Sequence, residues 1–366
     1  GFDGMDVIEE VATRSEDTAI VMISGYPSVG RATEALKRGA MDYVSKPFTP
    51  EEIIETVKRA VQRKITEEKK VLSRFEKVVH QIQFPVPEAD DKAPITIAET
   101  VAQKIGVGKT TAPWLSVLVL GVLAGAYIGF GGLLSTTVTH DMAAVFGLGF
   151  TRFMGGAVFS VGLMLVVIAG AELFTGNNLM ITSTLAREIT FGSMVKRWGL
   201  VYVANFAGSV LLAAIFLYSG LWKTGNGALG EAAVGIAYGK VSLEFGEALF
   251  RAIGCNWLVC LAVWMALAAR QTVGKIFAIF FPIMAFVALG FEHSVANMYF
   301  IPAGIFLRNA AGVAAPRGVE PGILSWGSFL YRNLLPVTVG NIIGGGFFVG
   351  MSYWGAYLSP KKEESS

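Results

Sequence analysis

The chain has 366 residues, of which 53% are hydrophobic, and its mean hydropathy of +0.54 excludes an ordinary soluble protein. Thirty-four of its 58 Lys, Arg, Asp and Glu residues precede Thr111. We therefore expect a soluble N-terminal region (the front), followed by an integral membrane region (the membrane body). The net charge of +2 gives no indication of a nucleic-acid partner, and none is expected.

Groups that would support catalysis or hold a cofactor are sparse in the sequence. The three histidines are scattered and predict no metal site, and no nucleophile or cofactor loop is evident. We therefore expect neither an enzyme nor a bound cofactor. Cys255 and Cys260 lie on different faces of one apolar segment and are interpreted as small buried side chains, which leaves the redox compartment open. The chain opens at Gly1 without a signal peptide, which suggests part of a longer protein.

The first domain, residues 1–65, alternates between short apolar runs and amphipathic segments. Strands are predicted within 19–25 and 41–48, with a helix over 28–38 between them. A further helix is predicted to begin at Pro50, which suits the first helical position. The alternation predicts a doubly wound α/β arrangement.

The segments ISGYPS and ATEALKRGAMDYVSKPFTPEEI resemble the second half of a response-regulator receiver domain. By that resemblance Ser24 corresponds to the residue that senses the phosphoryl group, Lys46 to the lysine that contacts it, and Tyr43 to the switch aromatic. The family's phosphoacceptor aspartate and its magnesium-binding acidic pair would precede the first residue. Asp3 and Asp6 are interpreted as loop and helix-start residues. We therefore expect a partial receiver-like domain that is not phosphorylated in the family's way.

The membrane body is predicted for residues 96–360, after a charged helix and a proline-rich linker at 66–95. Six apolar segments of about 20 residues or more predict an all-α membrane protein. They lie at 114–137, 152–187 (broken at 175–178), 197–220, 244–269, 274–306 (broken at 290–294) and 333–358.

Basic residues in the connections predict how this body is oriented. They cluster after the second, fourth and sixth segments, which by the positive-inside rule puts both termini in the cytoplasm. These residues are Arg187, Lys196 and Arg197, then Arg270 and Lys275, then Lys361 and Lys362.

The two broken segments share a pattern of residues. A glycine, a glutamate and an asparagine recur with the same spacing in both, and an asparagine with a glycine three residues later recurs in the third and sixth segments. This pattern predicts an inverted 3+3 repeat with a solute pathway at the interface of its halves. The matched residues are Gly170, Glu172, Asn177, Asn205 and Gly208 in one half, and Gly290, Glu292, Asn297, Asn341 and Gly344 in the other.

Ionisable side chains inside a membrane span are functional candidates by default. The carboxylates beside the breaks would suit a cation, whereas the N–H groups at the restarted helix N-termini favour an anion. Thr175 and His293 can donate hydrogen bonds to a small oxyanion, and four apolar side chains could form constrictions that exclude hydrated ions. A small monovalent anion that can take up a proton satisfies both features. The four apolar residues are Leu163, Phe174, Phe159 and Phe286.

Four segments carry a second resemblance: AELFTGN, CNWLVCLAVWMA, GFEHSVANMYFIP and PVTVGNIIGGG. From about Thr96 to Tyr357 the chain resembles the formate/nitrite transporter family. The resemblance implies an aquaporin-like fold of six spans in the inner membrane of a prokaryote. It also implies a homopentamer with one pore per protomer, which carries formate, nitrite, hydrosulfide or a related small monocarboxylate.

The same resemblance assigns roles to ten residues. They form a pore and proton relay (His293, Thr175, Asn256 and Lys240), two constrictions (Leu163 with Phe174, and Phe159 with Phe286), and the support of the second broken loop (Glu292 and Asn297). By their matching spacing, Glu172 and Asn177 are expected to support the first broken loop.

Other functions remain open at this point. The anion could be nitrite or hydrosulfide rather than formate. A neutral-solute pore of the aquaporin type would need paired Asn-Pro-Ala turns, which neither break contains. The fusion to a receiver-like front also suits a solute-responsive sensor coupled to two-component signalling.

Overall fold

A computed structural model describes residues 3–15, 17–26, 28–81 and 91–359 of the chain. The chain forms two compact units, Gly1–Glu88 and Ala89–Ser366. Most of the predicted linker lies outside the described residues.

The first unit is a small α/β assembly. Its two strands, β1 and β2, are parallel, with Val21 opposite Asp42 and Ser24 opposite Ser45. Its core is formed by Met5, Ile8, Ala35 and Ala40. The elements in chain order are α1 (Gly4–Arg14), β1 (Val21–Ser24), α2 (Val29–Lys37), β2 (Asp42–Ser45) and α3 (Pro50–Gln81).

The second unit is almost entirely helical. Among its described residues, 91–359, five helices are long and apolar enough to cross a membrane. In chain order the unit contains α4 (94–111, with a π-helical turn at Thr100–Ile105), α5 (Trp114–Thr139), α6 (Ala143–Gly170), α7 (Phe174–Asn177), α8 (Met180–Leu185), α9 (Phe191–Ser219), α10 (Ala228–Val241), α11 (Phe245–Ala268), α12 (Thr272–Ala288), α13 (Ser294–Ala311) and α14 (Trp326–Tyr357).

The predicted membrane segments correspond to these helices with four corrections. The third segment begins at Phe191 and not at 197, and the sixth begins at Trp326 and not at 333. The second begins at Ala143, nine residues before the predicted 152, because the apolar run AAVFGLGF is itself helical apart from a kink at Gly147. Its break lies at 171–173 and not at 175–178, since the helix restarts at Phe174. The predicted break at 290–294 agrees with the structure, in which α12 ends at Ala288 and α13 begins at Ser294.

Small residues allow the long helices to approach each other closely. Gly208 of α9 lies against the backbone of Val122 in α5, and Gly344 of α14 lies against the backbone of Ile253 in α11. A side-chain carbon at either glycine would overlap backbone atoms that cannot move aside. Close backbone contact of this kind is how membrane helices gain packing energy where lipid removes the hydrophobic driving force.

We predict that Gly208→Ala lowers the thermal midpoint of the detergent-solubilised protein, by a destabilisation of about 1–3 kcal/mol, because the added methyl group overpacks the α5–α9 contact. Gly199→Ala is the matched control, since it lies on the same helix with no atom within 4 Å of the added carbon. Equal midpoints for the two variants would contradict this account of the contact.

Candidate transport site

Both helix breaks begin at a glycine in the left-handed region. Gly170 has a φ of 86° and Gly290 a φ of 75°, a conformation that costs other residues roughly 1–2 kcal/mol. Each glycine is followed by three residues outside regular structure, 171–173 and 291–293, and then by a new helix N-terminus. The chain thus leaves and re-enters helical geometry twice inside the apolar unit.

A buried asparagine satisfies the backbone of the first break. The side-chain oxygen of Asn205 accepts a hydrogen bond from the backbone N–H of Phe174 at 2.9 Å. Its amide nitrogen donates to the carbonyl oxygens of Gly121 and Glu172, both at 2.8 Å. One side chain therefore ties the break to α5 and α9.

Asn341 does the same at the second break. Its oxygen accepts from the N–H of Ser294 at 2.8 Å, and its nitrogen donates to the carbonyls of Ala252 at 2.9 Å and Glu292 at 3.0 Å. Asn205 and Asn341 are both fully buried. Sequence spacing marked them as equivalent, but it did not indicate which backbone groups they contact.

Each break also carries a lysine–glutamate–asparagine cluster. In the first, both oxygens of Glu172 lie 2.8 Å from Nζ of Lys109, and the second accepts from Asn177 at 2.9 Å. The charged pair is largely shielded from solvent. Lys109 is absent from the residues that the sequence singled out.

The second cluster has the same composition. Glu292 accepts from Lys240 at 2.9 Å and from Asn297 at 2.6 Å. Lys109 lies five residues before α5 begins at position 114, and Lys240 lies five residues before α11 begins at 245. That shared spacing is the signal that could have revealed Lys109.

The two breaks meet at Thr175 and His293. The Thr175 hydroxyl lies 2.9 Å from Nε2 of the imidazole, and both residues are buried. Nδ1 of His293 accepts the backbone N–H of Ala296 at 3.0 Å and so caps α13. With Nδ1 acting as an acceptor, the neutral ring carries its proton on Nε2 and donates it to the Thr175 hydroxyl.

Asn256 contacts the backbone carbonyl of Thr175 and two neighbouring groups. Its amide nitrogen is 3.2 Å from the carbonyl of Thr175, 2.8 Å from the side-chain oxygen of Asn178 and 2.7 Å from the carbonyl of Asn341. These contacts hold the backbone that presents Thr175 to the imidazole.

Two cavities open at the clusters. The first, of about 360 Å³, is lined by Lys109, Glu172 and Leu163 among other residues. The second, of about 190 Å³, is lined by Lys240 and His293 among others. Each cavity therefore combines one lysine–glutamate pair with mostly apolar walls.

Three of the four predicted constriction residues line these cavities. Phe159 and Phe286 line the second cavity, and their rings meet edge to face at a centroid distance of 5.7 Å. Leu163 lines the first cavity together with Leu173. Leu173 is buried and was not predicted.

Phe174, the predicted partner of Leu163, is placed elsewhere. Its ring packs edge to face on Trp198 and Tyr202, with centroid distances of 6.1 Å and 4.8 Å, in a separate groove. Because α7 begins at Phe174, the extended residue before it turns into the cavity. The structure therefore favours Leu173 as the partner of Leu163.

The predicted receiver residues cluster at the ends of the two strands. Ser24 ends β1, and its hydroxyl accepts the N–H of Tyr26 at 3.2 Å. Lys46 follows β2 and donates its N–H to the carbonyl of Ser24 at 2.8 Å. Tyr43 lies within β2, and its buried hydroxyl has no hydrogen-bond partner in the part of the chain that the structure describes. Among the described residues, no group of three or more His, Cys, Asp and Glu could hold a metal ion.

Comparison with known proteins places this site in a family. The sequence profile of the formate/nitrite transporter family matches residues 96–355, and that of the response regulator receiver domain matches residues 1–58. The chain belongs to the formate/nitrite transporter family. It is therefore a multi-pass membrane protein of a transporter family, fused to a receiver-type front.

Relatives of this transporter match over nearly their whole length. A probable formate transporter of Methanothermobacter thermautotrophicus is 46% identical over 75% of this chain and 98% of its own length. The formate channel BtFdhC of Bacillus thuringiensis is 42% identical over 72% and 95%. A solved structure described as a pentameric formate channel with formate bound is 36% identical, with a TM-score of 0.60, and covers 67% of this chain and 98% of its own.

We predict that Asn341→Ala strongly destabilises this transporter. It would remove the partner of the Ser294 N–H and of the Glu292 carbonyl, each worth about 1–3 kcal/mol when unsatisfied, and the second hydrogen bond of the Ala252 carbonyl. A large fall in the thermal midpoint in detergent is expected. Thr137→Ala is the control, because that exposed hydroxyl donates to the Leu133 carbonyl of its own helix. An Asn341→Ala protein as stable as the control would show that the break does not depend on this amide.

Proposed function

We propose that this transporter carries formate, or a similar small monovalent anion, through one pathway in each protomer, and that His293 mediates protonation of the solute. The observation that carries the proposal is the Thr175–His293 contact, made where the two breaks meet. The names of several relatives, which refer to formate transport, support formate as the solute.

The two lysines supply the attraction for an anion. Lys240 lines one cavity beside His293, and Lys109 lines the other. Each lysine is paired with a glutamate. The cavity entrances therefore carry positive potential near the lysine but no unbalanced full charge, which would hold the anion too tightly. This pairing favours passage over tight binding.

Apolar walls between the lysines favour a neutral solute. Taking an unpaired ion out of water costs on the order of several kcal/mol, whereas a protonated small acid avoids that cost. Leu163 and Leu173 line one side of the pathway, and Phe159 and Phe286 line the other. The solute therefore enters as an anion and passes these side chains as the neutral acid.

His293 is placed to transfer the proton. The neutral ring already holds a proton on Nε2, so a second proton must go to Nδ1 and must displace the N–H of Ala296. An anion beside the ring offsets the loss of that cap, because it stabilises the imidazolium. The imidazolium then gives the Nε2 proton to the solute, while the Thr175 hydroxyl orients the solute.

The assembly and orientation are part of the same proposal. We infer a homopentamer with six spans per protomer, arranged as two inverted repeats in the cell membrane of a prokaryote. The equivalent contacts of Asn205 and Asn341 support the repeat, and the pentameric relative supports the assembly. Both termini face the cytoplasm, with domains at 1–65, 66–95 and 96–360.

Uptake by proteoliposomes tests the substrate class. We predict that the purified chain transports formate several times faster than protein-free liposomes do, in a panel with nitrite, hydrosulfide, acetate and glycerol, with and without a pH gradient. Faster transport of nitrite or hydrosulfide would reassign the anion. Transport of glycerol alone would rule out the anion pathway.

The role of His293 predicts the result of His293→Asn. Asparagine is a favoured N-cap residue and keeps an acceptor for the Ala296 N–H, but it cannot take up a proton. We expect an assembled protein whose formate influx no longer rises as the external pH falls, because asparagine cannot pass a proton to the solute. His140→Asn is the control, because that ring contacts the carbonyl of Thr137 and lines neither cavity. If the pH profile of His293→Asn matched that of the control, this role for His293 would be refuted.

A further inference from the structure

Helix α3 carries an apolar face that its own unit does not cover. The six side chains of this face are between 38% and 67% exposed. We call them the α3 seam; they are Ile54, Val57, Val61, Ile65, Val71 and Leu72.

The contacts of α3 with its own unit lie on a different face. Thr56 and Ala60 are buried there, Arg59 pairs with Asp42 at 3.0 Å, and Arg63 donates to the carbonyl of Met41 at 2.9 Å. Beyond these contacts, every described side chain from 65 to 74 is exposed. A helical extension of this kind is marginal in water unless an apolar face packs against something.

The spacing of the seam is that of a helical bundle. With Ile54 taken as heptad position a, the seam occupies a, d and e. A strict a/d pattern is typical of a two-stranded coil, whereas the added third position widens the face to the width used in bundles. The seam therefore suits more than two helices.

Two charges interrupt the seam and specify how copies align. Lys64 occupies a d position and Glu68 the next a position, about 6 Å farther along the helix axis. In a parallel, in-register bundle of identical helices, the Lys64 side chains share one layer, and the Glu68 side chains of the neighbouring copies form the next layer, within reach of the lysines. Polar residues at single core positions of this kind select register and partner.

We propose that the α3 helices of neighbouring protomers associate through the seam as a parallel bundle, so the partner of each seam is a second copy of this chain. The number of strands rests on the proposed pentamer. Each α3 is joined to its membrane unit by only twelve residues, 82–93. A connection this short gives tethered copies an effective concentration of about the millimolar range. It also requires the copies to run in the same direction, because each C-terminal end leads to the same membrane assembly.

Cysteine cross-linking in the full chain, reconstituted in lipid nanodiscs, tests the proposal. Val61→Cys places a thiol in the seam, and Thr66→Cys places one on the opposite, exposed side of the same helix. The native cysteines are fully buried, and the parent protein measures their background. We expect oxidation of Val61→Cys to form disulfide-linked dimers at several times the fraction seen for Thr66→Cys. Adding Val57→Asp should abolish cross-linking of Leu72→Cys.

The native mass of the particle separates this proposal from the proposed function. A pentameric mass with equal cross-linking of Val61→Cys and Thr66→Cys would overturn the seam and leave the transport proposal intact. A water-soluble maleimide could also label Val61→Cys without lipid but fail to label it when lipid is present. That result would place the seam on the bilayer and would overturn the proposed association between copies. If the particle mass differed from that of five chains while Val61→Cys still cross-linked strongly, association through the seam would be supported and the proposed pentamer would be contradicted.

Discussion

Backbone that leaves helical geometry inside a membrane must find its hydrogen bonds within the protein, and this constraint organises the transporter unit. Asn205 and Asn341 meet it in the same way, each bridging one N–H and two carbonyls around a break. Because the two amides come from α9 and α14, those helices are fixed against the breaks. Close packing at Gly208 and Gly344 brings them near enough to do so.

The polar clusters follow from the same breaks. An extended segment presents Glu172 or Glu292 away from the helix axis, where a lysine from outside the span can reach it. The restarted helices then present Thr175 and His293 toward each other. Structure and chemistry are therefore coupled, since the lysine–glutamate pairs held at the breaks also line the two cavities through which an anion would approach the imidazole.

Sequence reasoning predicted the features whose signal is local. A glycine followed by a carboxylate in an apolar run located the break at Gly290, and the same pattern at Gly170 located the first broken segment. Features set by backbone angles or by long-range pairing were missed. The start of the first break was misplaced by four residues. Phe174 was named as a constriction residue, whereas Leu173 lines the cavity. Lys109 escaped notice because its partner lies 63 residues away.

The central claim is that a small anion takes up a proton at His293 in order to pass the apolar walls. Simultaneous recording of formate and proton entry into proteoliposomes that contain the purified chain tests it most directly. The account predicts that a proton enters with each formate and that no inward negative charge accumulates. Formate entry that drives the interior negative, with no proton uptake, would contradict it.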